Sequence, residues 1–497
     1  MQQIQDLLIF EGVSMKVAVI GAGLAGSEAA WTLANTYQLD VLLFEMKSST
    51  PTPAQSEPHH FAELVCSNSL KSKSRLNPAG LLKTEMDALG SITMKASRQS
   101  EVPAGEALAV DRELFSGFIT ATLRAHPKIT VIEKQIQSLG ELSEFGVAAT
   151  VIATGPLTAS GLAENLRTVT GSDALYFYDA IAPIVDGETI DYDVAFFANR
   201  KTRTTQNDVS LQSSEANIDE NSQEAGHYLN LPLNKDEYFA FVEELKAGEK
   251  VPYHNFEEPR FFNGCQPIEV LAESGPKTLS FGPMKPMGLD DPRTGRRPYA
   301  AVQLRREKVG DGAYNMVGFQ TRLKWPEQKR IFRLLPGMAN VEFHRMGSMH
   351  RNTYLISPKL INKIDLSLQS IPGVWLAGQI SGVEGYVESA AMGLLIAHVI
   401  GKKLTSDSVL ELPPLDTSLG CLVAHLRDSE AKHFSPMNIH WGLFSEMSSE
   451  FLDAQEKLSP ELALARNRKK LDKSLKRSML AIRAEELFAS WKTRTGL

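Results

Sequence analysis

The chain has 497 residues, of which 43% are hydrophobic and 22% are charged. This composition supports well-buried cores, excludes a largely disordered chain, and at this length predicts roughly two to four domains. The formal net charge of −7 excludes a protein that is basic overall, so any binding of nucleic acid has to depend on local basic clusters.

Residues 1–14, MQQIQDLLIFEGVS, have neither the basic start nor the small-residue cleavage site of a signal peptide, and we interpret them as an N-terminal extension. No apolar run approaches the ~20 residues that span a bilayer. The three cysteines, Cys66, Cys265 and Cys421, are far apart and odd in number, which favours reduced thiols over a disulfide framework or a metal site. We therefore expect a cytoplasmic protein with no membrane segment and no metal.

The first predicted elements are a strand, a glycine-rich turn and a helix in MKVAVIGAGLAGSEAAWTLA. Gly21 permits the tight turn, Gly23 lets the backbone approach a pyrophosphate, and Gly26 allows the helix to pack closely on the strand. The next predicted strand ends in Glu45, where an acidic residue binds the adenosine ribose. The alternative is a tight strand–helix turn without a ligand. The predicted phosphate-binding turn comprises Gly21, Ala22, Gly23, Leu24, Ala25 and Gly26.

Two later segments favour FAD over NAD as the dinucleotide. VAATVIATGP is a predicted strand that reaches Thr154 and Gly155. Far downstream, IPGVWLAGQISGVEGYVESAAMGLLIAHVIGKKL contains a predicted strand ending at Gly378, a loop with glycines that begins at Gln379, and a long helix. Small residues before a helix N-terminus form a second place for the phosphate and ribityl chain of an extended cofactor. NAD enzymes do not need a second strand and helix so late in the chain to complete the dinucleotide site. The alternative is that this downstream segment is an ordinary strand–helix unit.

If the sheet opens near residue 15 and closes near residue 400, the residues between must form an inserted domain. We predict an α/β fold: a Rossmann-type FAD-binding domain, of the two-dinucleotide-fold kind, interrupted by an inserted α+β domain. Its parts are the extension 1–14, the first FAD-binding part 15–184, the inserted domain 185–335 carrying Cys265, and the return segment with C-terminal helices 336–497. The polar residues 205–225 are predicted to form a surface loop.

Two of the cysteines lie in polar, glycine-containing surroundings. Cys265 follows Gly264 at a predicted turn into a helix or strand, where a helix N-terminus lowers the pKa of a thiol. Cys66 is followed by a polar and basic loop, SNSLKSK. Cys421 lies on an apolar helical pattern and is predicted to be structural. Because free cysteine is often a small buried hydrophobe, a structural role for Cys66 and Cys265 stays open at this point.

A set of motifs resembles the folate- and FAD-dependent RNA (uracil-5-)-methyltransferases. The resemblance runs from Met15 to about Arg483 and departs at the N-terminal extension and at residues 205–225. The matching segments are, in order, VAVIGAGLAGSEAAWTLA, FAELVCSNSLKS, NPAGLLKTEMDALGS, VPAGEALAVDRELFS, YFYDAIAPIVDGETID, YLNLPLNKDEYFAFVEEL, FNGCQPIEVLA, TLSFGPMKPMGL, MHRNTYLISP, LAGQISGVEGYVESAAMGLLIA and FSPMNIHWGL.

This resemblance implies an activity, its cofactors and two catalytic cysteines. The usual family member methylates a uridine in the TΨC loop of tRNA, with the carbon from 5,10-methylenetetrahydrofolate and electrons from NAD(P)H passing through FAD. Cys265 is implied as the nucleophile that adds to C6 of uracil. Cys66 is implied as a proton acceptor or in handling the carbon at the flavin. Glu45 is implied to bind the FAD ribose, and Gly378 and Gln379 the inner half of the cofactor.

Basic residues suggest where folate and RNA bind. Lys285, His350 and Arg351 are candidates for contacts with a folate carboxylate or an RNA phosphate, with surface ion pairing as the alternative. RNRKKLDKSLKR, residues 466–477, is a basic helical segment that suits RNA, although most such runs are solvated helix faces.

Several functions remain to be distinguished at this stage. The first is the tRNA methyltransferase, and the same chemistry on ribosomal RNA is its nearest alternative. The others are a flavoprotein oxidoreductase for a small molecule and a non-catalytic FAD-bound protein that binds RNA.

Overall fold

The computed structural model describes residues 15–50, 55, 57–171, 175–200, 228–252, 266–307, 312–452 and 473–497. No helix within these ranges is long and apolar enough to cross a membrane.

Strands and helices are numbered in chain order within these ranges. The strands are β1 (Lys16–Ile20), β2 (Asp40–Phe44), β3 (Ser69–Ser72), β4 (Glu101–Val102), β5 (Ala107–Val110), β6 (Ile129–Ile132), β7 (Ala149–Ile152), β8 (Leu175–Ile181), β9 (Ile184–Asp186), β10 (Phe196–Ala198), β11 (Tyr228–Leu233), β12 (Ala300–Arg306), β13 (Ala313–Met316), β14 (Phe343–Arg345), β15 (Ser348–Tyr354) and β16 (Val374–Leu376). The helices are α1 (Leu24–Asn35), α2 (Pro78–Ala88), α3 (Ile92–Ser100), α4 (Arg112–Ala125), α5 (Ser160–Thr170), α6 (Lys235–Ala247), α7 (Ile268–Glu273), α8 (Thr278–Phe281), α9 (Trp325–Phe332), α10 (Ser357–Leu360), α11 (Tyr386–Ser406), α12 (Ser418–Asp428) and α13 (Lys473–Thr495).

A five-stranded parallel sheet forms the first layer, in the order β16-β7-β1-β2-β6. Its central strands are almost continuously apolar because a parallel sheet is covered on both faces. Strand β16 comes from the return segment and pairs in parallel with β7, with Trp375 opposite Val151. The strand of the return segment is therefore part of the same sheet as the glycine-rich turn, as predicted.

Helix α1 packs on this sheet, and helix α11 packs on α1. Most residues of both helices are buried, so their apolar residues do not form a single stripe. A helix with apolar residues all around it is stable in a folded protein when other elements pack against it on all sides. This packing fixes the N-termini of both helices at the same edge of the sheet.

A second hydrophobic core, separate from the first, belongs to a six-stranded antiparallel sheet of order β10-β11-β12-β13-β9-β14. The buried residues of this core run from Val185 to Val341. The outer strand β14 ends at Arg345, ten residues beyond the predicted end of the inserted domain at residue 335. The domain limits themselves remain a prediction.

The C-terminal helix packs on the first core. Phe488 and Trp491 are buried there, and the Trp491 indole N–H donates to the Glu411 carbonyl at 2.7 Å. The predicted C-terminal helix is thus found over Lys473–Thr495. Most of the basic segment 466–477 and the predicted loop 205–225 lie outside the described residues.

Candidate functional site

A cavity of about 440 Å³ lies along the edge of the parallel sheet where its strands end. Glu45 follows β2, Thr154 and Gly155 follow β7, and Gln379 follows β16, and all four line this cavity. In the sheet order β2 and β16 are three strand spacings apart, about 14 Å. The cavity is therefore elongated across the sheet edge and suits an extended ligand.

The glycine-rich turn lies beneath the middle of this cavity. Gly21 has φ 97°, and a Cβ there would lie 2.7 Å from the Ala153 carbonyl oxygen. A Cβ on Gly26 would lie 1.7 Å from the Gly21 carbonyl oxygen, so this helix approaches its strand as only glycine permits. Helix α1 has no side-chain cap, which leaves the N–H groups of its first turn available to a phosphate.

The carboxylate of Glu45 is held against the turn. Its Oε2 accepts from the Ala22 N–H at 2.7 Å, and its Oε1 accepts from the Lys47 N–H at 2.8 Å. A carboxylate has about four lone-pair positions, so the two oxygens can still accept hydrogen bonds from the hydroxyl groups of a ribose. We call this the adenosine end of the cavity.

At the other end the cavity is lined by Cys66, Lys71, Gln379, Gly385 and Tyr386, and we call this the ring end. The Cys66 sulfur lies 2.8 Å from the Tyr386 hydroxyl oxygen. That oxygen also accepts from the backbone N–H groups of Cys66 at 2.7 Å and Ser67 at 3.3 Å. Burial, followed by the charge of Cys66, raises the pKa of Tyr386 well above its usual value. The hydroxyl therefore stays protonated beside the sulfur.

Guanidinium groups surround the loop that carries Cys66. Arg305 donates to the Ser67 hydroxyl at 2.7 Å, and Arg112 pairs with Glu307 at 2.8 Å. Arg345 is close enough for its charge to interact with that of Cys66, and burial lowers its pKa. Within the described residues its Nε and Nη2 have no hydrogen-bond partner. Positive charge near a cysteine favours the thiolate, which is the nucleophilic and basic form.

Cys421 lies in different surroundings. It is 1% exposed on α12, and its Sγ lies 2.9 Å from the Leu415 carbonyl oxygen. Burial, then the charges of Asp416 and Glu85, raise the pKa of its thiol. The predicted structural role of Cys421 agrees with this position.

The structure brings most of the predicted cofactor residues to the cavity. Ala22, Gly26 and Gly378 lie behind the lining, where Gly378 packs against Ala25. Lys285 is half-buried in the second sheet's domain and does not line the cavity. His350 and Arg351 lie on β15, where only their backbone is described. Cys265 lies outside the described residues.

Sequence reasoning missed Tyr386 and Lys71. Tyr386 is the first residue of α11, directly after the glycine-containing loop, so the sequence placed it beside the cofactor but gave no sign that it would bond Cys66. Lys71 counted only as part of a basic loop. Both assignments depend on contacts across more than 300 residues of chain, which no local pattern reveals.

Comparisons with known proteins agree with this geometry. A crystal structure of GidA from Aquifex aeolicus, in its form I crystal, superposes with a TM-score of 0.63 at 17% identity, covering 97% of this chain and 80% of that one. Residues 16–408 match the family described as "Glucose inhibited division protein A". The turn, the late return strand and the elongated cavity thus define a flavoprotein with an FAD-binding dinucleotide fold.

Curated relatives narrow this class. Proteins named methylenetetrahydrofolate–tRNA-(uracil-5-)-methyltransferase TrmFO are 46% identical in Desulfotalea psychrophila, over 86% of this chain and 90% of the relative, and 45% identical in Enterococcus faecalis, over 90% and 95%. The relative from Nitratidesulfovibrio vulgaris, strain Hildenborough, is 46% identical over 97% of this chain and 92% of its own. The chain belongs to the glucose inhibited division protein A family and, more narrowly, to the methylenetetrahydrofolate–tRNA-(uracil-5-)-methyltransferases.

Proposed function

We propose that this protein transfers the one-carbon unit of 5,10-methylenetetrahydrofolate to C5 of a uridine in tRNA and completes it as a methyl group. The carbon arrives at the formaldehyde level, so two electrons are needed, and NAD(P)H supplies them as hydride. The TΨC-loop uridine is the proposed target. Family membership at 44–48% identity supports the reaction. In this chain, the main observation in support of the reaction is that Cys66 lines the same cavity as the glycine-rich turn.

The described residues fit FAD. The first-turn N–H groups of α1 suit the pyrophosphate, the Glu45 carboxylate suits the adenosine ribose, and Thr154, Gly155 and Gln379 line the path to the ring end. Bound there, FAD would carry the two electrons from NAD(P)H to the one-carbon unit. We propose Gly378 as the residue that lets β16 approach α1 behind the cofactor, because a Cβ there would lie 2.7 Å from the Ala25 Cβ.

We propose Cys66 as the group that handles the C5 proton. Once C5 has bonded to the carbon unit, its remaining hydrogen has to leave as a proton, and this requires a base within reach. The Cys66 sulfur has a protonated hydroxyl 2.8 Å away and arginines around its loop, an arrangement that stabilises and orients a thiolate. Tyr386 would act as its positioning residue.

We propose Cys265 as the nucleophile that adds to C6 of uracil and thereby makes C5 reactive. Its chain neighbour Gln266 leads into α7, whose first residue Ile268 donates to the Gln320 carbonyl at 2.7 Å. Gln320 lines the cavity from the second sheet's domain. This segment therefore begins beside the cavity, which supports the proposal. Lys285, His350 and Arg351 remain candidates for contacts with folate or RNA.

The reaction is tested with unmodified tRNA, methylenetetrahydrofolate and NADPH. We expect 5-methyluridine by mass spectrometry, and none when S-adenosylmethionine replaces the folate. RNA that contains 5-fluorouridine should become covalently attached, because fluorine cannot leave C5 as a cation. Cys265→Ala should abolish both the adduct and the product while FAD stays bound. An adduct that survives in Cys265→Ala and disappears in Cys66→Ala would reverse the two cysteine roles.

A further inference from the structure

Lys71 lines the ring end of the cavity with an unusual backbone conformation. Its φ is 65°, a region that favours glycine and in which a side chain is strained. Strain of this kind persists only where the surrounding structure imposes it, and it concentrates at functional sites. The side chain is 34% exposed, and the residue lies in the cavity lining. Strand β3, whose pairing with β5 is irregular between Ser69 and Ser72, therefore holds a lysine where a glycine would be easier to accommodate.

Two side chains hold the ammonium group of Lys71 in place. It pairs with Glu388 Oε1 at 2.6 Å and also donates to the Asn438 side-chain oxygen. Gly385 leaves the space for it, because a Cβ at Gly385 would lie 2.8 Å from the Lys71 nitrogen. Glu388 is fully buried, and its second oxygen has no hydrogen-bond partner within the described ranges.

A helix N-terminus, two carboxylates and a second lysine surround Lys71. Gly385 is the N-cap of α11 and no side chain caps this helix, so the positive end of its dipole faces the same space. Glu388 carries the opposing charge, and Glu384, which accepts from Gln379 at 2.7 Å, adds a second carboxylate to the lining. Lys83 lies behind, buried, with its ammonium on the Leu70 carbonyl at 2.7 Å. Among the described lining residues, Lys71 is the one cationic side chain at the ring end.

We propose that Lys71 sets the reduction potential of the flavin by placing a positive charge at the ring end of the cavity, and that Glu388 moderates this charge. Hydride from NAD(P)H brings two electrons and one proton, so the ring gains one negative charge unless water supplies a second proton. A fixed ammonium beside it stabilises that charge more than it stabilises the neutral oxidised ring. This inference rests on the proposed function, which supplies FAD and the reductant.

The test is the two-electron midpoint potential of the purified flavoprotein, measured by reductive titration against reference dyes without RNA or folate. Lys71→Met should make the potential more negative, by about 30 mV for each tenfold change in the reduction equilibrium. Glu388→Gln should move it in the opposite direction. Lys73→Met is the matched control, because Lys73 lies two residues away, is 45% exposed and pairs with Glu101. Lys71→Arg, which keeps the charge, should resemble the wild type.

The outcomes separate this inference from the proposed function. If the wild-type protein binds no FAD, the cofactor assignment fails first. If FAD is bound and Lys71→Met has the same potential as Lys73→Met, this inference alone is overturned. If Lys71→Met loses its FAD, the midpoint potential of Glu388→Gln becomes the test. An unchanged potential in that variant overturns the proposal.

Discussion

Two cysteines of this protein, Cys66 and Cys421, show how surroundings decide what a thiol can do. Cys66 lies at a cavity with a tyrosine hydroxyl 2.8 Å from its sulfur and arginines around its loop. Cys421 is buried on α12 among carbonyl oxygens, and the nearby charges that act on it most, after burial itself, are those of Asp416 and Glu85. Cys66 thus has a hydroxyl and positive charge near its sulfur, whereas burial and negative charge raise the pKa of the Cys421 thiol.

Both burial and hydrogen bonding differ between these two cysteines, since Cys66 is half-buried and Cys421 is buried. Tyr386 beside Cys66 is half-buried, and because its hydroxyl oxygen already accepts from two backbone N–H groups, its own hydrogen can point at the sulfur. Around Cys421 the polar partners are acceptors, so the thiol serves as the donor. The sign of the neighbouring charge and the direction of the hydrogen bond therefore distinguish the two regions. Four substitutions test this contrast, and the loss of the Cys66 thiol should have the greatest effect.

Cys66→Ala should lower the rate of 5-methyluridine formation by about 100-fold or more, the loss typical of a removed general base. FAD should remain bound, because the turn and Glu45 are untouched. Cys421→Ala is the control and should keep the wild-type rate. Equal losses in the two variants, measured under single-turnover conditions, would mean that the surroundings do not distinguish the cysteines.

Glu85→Gln should change how stability depends on pH in the Cys421 region. Glu85 accepts from the Ser418 and Leu419 N–H groups at 2.8 Å each, and burial raises its pKa to about 8. Since the folded state then holds a proton that the unfolded state releases above pH 4.5, wild-type stability should fall as pH rises toward 8. The slope is at most about 1.4 kcal/mol per pH unit. Thermal unfolding at pH 6, 7 and 8 should show the wild-type Tm falling relative to that of the variant, and parallel curves would contradict this.

Tyr386→Phe should reduce turnover by about tenfold, because the hydroxyl that bonds the sulfur and two backbone N–H groups is lost. The aromatic ring stays, so FAD binding should change little. Tyr37→Phe is a matched control: its hydroxyl bonds His398 at 2.9 Å, and Tyr37 does not line the cavity. A pH–rate profile separates the roles, since loss of a positioning hydroxyl should shift the profile and a purely structural change should only lower it.

Cys421→Ala should cost about 1 kcal/mol of stability, the ordinary cost of a point mutation that removes a small buried group. The cost should combine lost packing with the loss of the weak hydrogen bonds that the thiol donates to the carbonyl oxygens of Leu415 and Leu443. Chemical unfolding of wild type and variant measures the difference. A loss of catalytic rate without a loss of stability would place Cys421 in the chemistry and remove the contrast with Cys66.

The parallel sheet, the glycine turn and the late return could all be predicted from local sequence. Apolar strand, glycine spacing and helix are patterns whose physical requirements are fixed within a few residues, as the tight turn at Gly21 shows. Glu45 followed from the same logic, since it stands at the end of the next strand. Membership of the methyltransferase family could also be predicted, because its motifs recur in order along the chain.

The surroundings of Cys66 could not be predicted in this way. Tyr386 lies 320 positions away from it and Lys71 lies 317 positions from Glu388, so the partners meet through the pairing of β16 with β7 and the packing of α11 on α1. Local sequence specifies the conformation of a segment, whereas charge and hydrogen bonding at a site depend on which segments the folded chain brings together. The contrast between Cys66 and Cys421 is therefore a property of the fold.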